Sequence, residues 1–113
     1  MGAVRRITGG DGFGPYRVNL AARCILGPQG QVPLTSGEFE LLRIFLERPH
    51  QVLSRDRLIT LLRGYEPGPF DRSVDLRVMR LRRKIEADPE RPAYLRTVRG
   101  EGYLFSPEGA RSP

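Results

Sequence analysis

The stretch Arg72-Ser73-Val74-Asp75-Leu76-Arg77-Val78-Met79-Arg80-Leu81-Arg82-Arg83-Lys84-Ile85-Glu86 carries two patterns at once. At roughly 100° per residue, Val74, Val78, Leu81 and Ile85 fall in one narrow arc. The spacing predicts an amphipathic helix over about 71–87, stopped by Asp88-Pro89, with those four side chains in the core. The rest of the surface is basic: six Arg or Lys and a single acid, Asp75, lie between Arg72 and Lys84. About a quarter-turn from the core stripe stand Ser73, Arg77, Arg80 and Lys84, with Leu76 and Arg83 flanking the same surface. Like charges stacked on one face cost stability unless a polyanion neutralises them. The plainer reading is a solvated basic face, helped by the macrodipole because Arg82, Arg83 and Lys84 sit near the C-terminus. That reading leaves Leu76 unexplained. An apolar side chain there suits a thymine methyl, and Arg80 in mid-face can fork onto guanine O6 and N7, a contact worth about 1–3 kcal/mol of discrimination. Arg77, Arg83 and Lys84 suit phosphates, which give affinity without sequence choice.

Upstream, Thr35-Ser36-Gly37-Glu38 fits a capping box, with Leu34 and Phe39 placed as a hydrophobic staple. Phe39, Leu42, Phe45 and Leu46 form the core face of this first helix, and Arg48-Pro49-His50 ends it. Ser54 caps a second helix whose core side is Leu58, Leu61 and Leu62, closed by Gly64. Residues 65–70, with Gly68 between two prolines, form a loop. Before the helices, residues 16–20, 23–26 and 31–34 read as short antiparallel strands around the turn Gly27-Pro28-Gln29-Gly30. After them, 94–98 and 102–105 form a hairpin around Arg99-Gly100-Glu101. Arg99 at that glycine-flanked tip is suited to a narrow minor groove.

The fold class that follows is α+β: a winged helix-turn-helix with an N-terminal antiparallel sheet, three helices and a C-terminal hairpin wing. Residues 1–14 are expected to be a disordered linker or tag remnant, because Gly9-Gly10-Asp11-Gly12-Phe13-Gly14 is too glycine-rich to fold alone. The domain is expected over 15–106, and 107–113 as a frayed tail. A net charge of +6 fits a polyanionic partner. However, 18 of the 19 basic residues are Arg, as base composition alone would produce, so placement of the charge has to decide. One cysteine, Cys24, and one histidine, His50, make neither a disulfide nor a His/Cys zinc site. No metal or other cofactor is expected. No secretory signal or membrane span is legible, and a cytoplasmic protein is expected.

These residues also form a set. Leu34-Thr35-Ser36-Gly37-Glu38-Phe39-Glu40-Leu41-Leu42 comes first, then Val52-Leu53-Ser54-Arg55-Asp56-Arg57-Leu58. Asp71-Arg72-Ser73-Val74-Asp75 and Leu81-Arg82-Arg83-Lys84-Ile85-Glu86 follow on the third helix, and Thr97-Val98-Arg99-Gly100-Glu101-Gly102-Tyr103 closes the set. In this order and spacing the chain, over about 16–105, resembles the winged-helix effector domain of OmpR/PhoB-type response regulators. The resemblance implies that Ser73, Leu76 and Arg80 face bases and that Arg99 enters the minor groove. It places Arg72, Arg77, Arg82, Thr97 and Tyr103 at the DNA backbone. It also implies binding to double-stranded DNA at repeated half-sites with a second copy alongside, and control of transcription. The loop Tyr65, Glu66, Pro67, Gly68, Pro69 and Phe70 matches the segment through which such activators touch RNA polymerase. A receiver domain is expected in the full-length protein, since none fits before residue 15. Two departures stand out: Arg63 replaces a frequent Trp, and Met79 stands where relatives often carry a polar or basic residue.

Three rival classes compete with this reading. Catalysis lacks an acid–base or nucleophilic constellation, and Gly10, Gly12 and Gly14 do not lead into a helix as a phosphate cradle does. RNA binding lacks aromatic platforms on the basic face. A winged helix used for protein–protein contact remains the alternative, and it would tolerate charge reversal on the helix and keep its partner at high salt.

Overall fold

The Pro28-Gln29 turn closes a hairpin between β3 (Cys24–Gly27) and β4 (Gly30–Val32), with Gly27 opposite Gly30. This is the hairpin that the glycine–proline turn signal predicts. The computed structural model describes residues 12–63 and 72–109, the side chains of Arg63, Arg72 and Ser73 excepted. The expected loop 65–70, the helix-closing Gly64 and residues 1–11 therefore lie outside the described residues.

The N-terminal sheet has four strands in the order β1-β2-β3-β4, all antiparallel. β1 (Gly12–Phe13) and β2 (Tyr16–Asn19) precede the hairpin. The first strand begins inside the segment expected to be a linker. Phe13 explains the difference: its ring is buried, with the rings of Tyr16, Tyr94 and Phe105 at centroid distances of 5.2, 5.3 and 5.2 Å. The burial of this one aromatic side chain outweighs the entropic cost of the neighbouring glycines. At the other end, Pro107 O accepts a hydrogen bond from Gly14 N, and Glu108 pairs with His50 at 3.1 Å. Residues 107–109, expected to be frayed, are thus engaged by the body of the domain.

α1 (Ser36–Leu46) starts with the predicted capping box: Glu38 N donates to Thr35 Oγ1 and Thr35 N donates to Glu38 Oε1. It buries more than one face, Leu41 and Ile44 as well as Phe39, Leu42, Phe45 and Leu46, because α2, α3 and the wing all pack on it. α2 (Arg55–Arg63) is capped by Ser54, whose Oγ accepts from Arg57 N, and it seats Leu58 and Leu62 in the core. α3 (Arg72–Ile85) buries Val74, Val78, Leu81 and Ile85, each 1% exposed or less. Each of these side chains contributes on the order of 1.5–3 kcal/mol by burial.

The wing has a strand the sequence pattern did not show. β5 (Val52–Leu53), between α1 and α2, pairs with β7 (Gly102–Phe105), which pairs with β6 (Leu95–Val98), giving the order β5-β7-β6. Two residues are too few to display an alternation. The result is an α+β winged helix whose wing is joined to the start of α2.

Candidate nucleic-acid interface

α3 has three kinds of surface besides its core stripe, and their angular positions decide what each can do. At roughly 100° per residue, Arg77 and Lys84 stand about a quarter-turn to one side of the stripe. Asp75 and Arg82 stand about a quarter-turn to the other side, while Leu76, Met79, Arg80 and Arg83 point away from it. The flanks are occupied by the protein itself, and the far side is exposed.

On the first flank, Lys84 Nζ donates to Glu38 Oε1 at 2.6 Å and to Pro33 O at 3.0 Å. Glu38 is buried. Burial raises its pKa, but the ammonium of Lys84 and the Thr35 amide outweigh that and hold the carboxyl below its ordinary value. Arg77 lies against the first turn of α1, with Nη1 buried and so close to Gly37 that a Cβ there would come within 2.8 Å. Both residues, expected at phosphates, are drawn back to α1. A side chain a quarter-turn from the core stripe stands where a neighbouring helix also has room to pack.

On the second flank, Arg82 Nε donates to Leu95 O at 2.9 Å and its Nη2 to Thr97 Oγ1 at 2.7 Å, with the guanidinium over the Tyr103 ring. Tyr103 Oη donates to Asp75 Oδ1 at 2.6 Å, and Arg55 Nε donates to the same carboxylate at 3.0 and 3.2 Å. Burial raises the Asp75 pKa, yet the two donors hold the carboxyl below its ordinary range. Burial, followed by the neighbouring carboxylate, raises that of Tyr103. Arg82, Thr97 and Tyr103, expected at the backbone, fasten the wing to α3. Arg55 was missed, because nothing in the sequence pairs it with a carboxylate twenty residues on. Between the start of α2 and the wing lies a cleft of about 360 Å³, lined by residues including Ser54, Arg55, Thr97 and Tyr103.

The far side keeps Leu76, Met79, Arg80 and Arg83 exposed. The helix continues toward its N-terminus through Arg72 and Ser73, whose side chains lie outside the described residues. Arg99 is exposed at the wing tip beside Gly100 (φ 76°), where Glu101 N donates to Val98 O to close the turn. Among the described residues no group of three or more His, Cys, Asp or Glu side chains could hold a metal ion. No described helix is long and apolar enough to cross a membrane.

Residues 29–105 match the family model described as "Transcriptional regulatory protein, C terminal". The regulatory protein VirG of Agrobacterium fabrum (strain C58) is 46% identical over 94 residues, which are 82% of this chain and 37% of VirG. The chain thus spans little more than a third of that relative's length. Among solved structures, the RstA DNA-binding domain of Klebsiella pneumoniae, in complex with RstA box, superposes with a TM-score of 0.73 at 33% identity. That match covers 85% of this chain and 95% of the RstA chain. The response regulator DrrB of Thermotoga maritima, described as an OmpR/PhoB homolog, superposes with a TM-score of 0.73 at 32% identity, over 83% of this chain and 42% of DrrB. The chain belongs to the family of C-terminal domains of transcriptional regulatory proteins, of the OmpR/PhoB winged-helix type.

Proposed function

We propose that the domain binds double-stranded DNA in a sequence-specific way, as the effector domain of a two-component response regulator controlling transcription. The outward arc of α3 enters the major groove, and Arg99 enters the adjacent minor groove. The observation that carries this reading is the division of labour around α3. Its flanking polar side chains are spent on the protein, yet Arg80 and Arg83 project from the exposed arc beside an apolar residue. The RstA domain, similar over nearly its whole length, was solved with RstA box. Arg80, with Ser73 and Leu76, reads base edges, and Arg83 and Arg72 hold phosphates. The domain acts as a binding module in the cytoplasm, not as an enzyme. A receiver domain belongs to the longer protein, a second copy occupies a repeated half-site, and the loop over 65–70 offers a contact to RNA polymerase.

Fluorescence anisotropy against a duplex selected from a random pool, and against a scrambled duplex, tests the reading. Arg80→Ala should lower the specific-over-random ratio about tenfold or more. Arg83→Ala should weaken both complexes and reduce the salt slope by about 1. Equal, salt-insensitive binding by wild type and both variants would overturn it.

A further inference from the structure

Among the described residues five large apolar side chains are exposed, and two of them, Leu76 and Met79, stand on the same arc of α3 at 43% and 45% exposure. Single exposed apolar residues are ordinary on any protein surface. These two are neighbours three positions apart, on a helix whose other described outward positions are Arg80 and Arg83. Resting on the DNA reading above, we propose that Met79 is a specificity-determining residue that, with Leu76, reads the C5-methyl groups of two neighbouring pyrimidines.

The chemistry of the thioether separates this role from a phosphate contact. A phosphate oxygen needs an N–H, an O–H or a cation, and methionine offers none of these. Its long, unbranched, polarisable chain instead fits an irregular apolar surface. In the major groove the apolar group that differs between bases is the C5-methyl, present on thymine and absent from cytosine and uracil. Residues three apart on a helix face have Cβ atoms about 5–6 Å apart. Neighbouring bases of one strand are spaced by about 3.4 Å along the duplex axis, so the two side chains can meet successive methyl groups. Arg80, beside them on the arc, would fix the register through a guanine.

The test uses a duplex selected by the 113-residue chain from a random pool, with each thymine replaced in turn by deoxyuridine, which removes only the methyl. Wild type should lose about fourfold in affinity at each of two adjacent pyrimidine positions. Met79→Ala should abolish the loss at one of them and keep the other, Leu76→Ala should do the converse, and Met79→Leu should restore the sensitivity. All variants should keep the wild-type salt slope, because no charge changes. If a sequence is enriched but no deoxyuridine substitution matters, or if Met79→Ala retains both sensitivities, this proposal falls and the DNA reading stands. If no sequence is enriched at all, both fall.

Discussion

Tyr103 Oη donates to Asp75 Oδ1 across 2.6 Å, so strand β7 of the wing is hydrogen-bonded to the first turn of α3. Arg55, at the first turn of α2, closes on the same carboxylate. Three elements therefore meet on one acid, the lone acidic residue on an otherwise basic stretch of helix.

The pH dependence of folding follows from that contact. The Asp75 and Glu38 carboxyls both have depressed pKa values in the fold. Their contribution is complete above the ordinary carboxylate range and is lost as pH falls through the folded-state values. Tyr103, whose pKa is raised, contributes below the ordinary phenol value and loses that contribution as pH climbs through the folded-state one. The melting temperature should thus be flat from about pH 6 to 8 and decline below about pH 4. Tyr103→Phe should lower stability at pH 7 by about 0.5–1.5 kcal/mol and shrink the acid-side decline. An unchanged acid limb in Tyr103→Phe would contradict the assigned bond.

Two adjacent cations should behave as opposites. Lys84 is tied to the buried Glu38, and Arg83 is exposed. Lys84→Met should cost about 1–3 kcal/mol of stability and change the salt slope of DNA binding little. Arg83→Met should leave the unfolding curve within about 0.5 kcal/mol and take about 1 from the salt slope. Urea denaturation and salt-dependent anisotropy on the same preparations separate the two effects.

Glu86 is buried and accepts hydrogen bonds from the backbone amides of Ala93, Tyr94 and Leu95, at 2.7 to 3.2 Å. Glu86→Ala strands these donors and should cost about 2–4 kcal/mol. Amide hydrogen exchange should accelerate first at Leu95 and its neighbours. If protection there persists in the variant, the carboxylate is not what orders the approach to β6.

Glycines at the wing should differ sharply. Gly100 (φ 76°) turns in open space, so alanine there should cost about 1 kcal/mol from backbone strain alone. Gly102 (φ 143°) lies against β5, where an added Cβ would come to 2.1 Å from Leu53 O. Gly102→Ala should cost about 3 kcal/mol or more, because backbone must move on both strands. Comparable melting temperatures for the two variants would show that β5 is not held as described.

Features that depend on one residue and its chain neighbours were legible in the sequence. The capping box at Thr35, the Ser54 cap and the four-residue core stripe of α3 are local periodicities and local hydrogen bonds. What stayed hidden depends on the third dimension. Lys84 reaches Glu38 forty-six positions away, and Arg82 reaches the wing. From the helix alone both are simply cations beside the core, so their number overstated how much positive charge faces outward. Phe13 was hidden for a related reason, since its partners Tyr94 and Phe105 lie at the opposite end of the chain.

The two-sided anchorage of α3 has a mechanical consequence. With Lys84 held on one side and Asp75 and Arg82 on the other, the helix cannot roll about its own axis without breaking bonds on at least one flank. A side-chain tip on a helix of about 5–6 Å outer radius travels about 1 Å for every 10° of roll, more than a hydrogen bond to a base edge tolerates. On the proposed DNA reading, the intramolecular arginine and lysine contacts therefore set the angular tolerance of the reading head. A variant with slack on one flank would recognise its site with blurred register even if every base-facing side chain were intact.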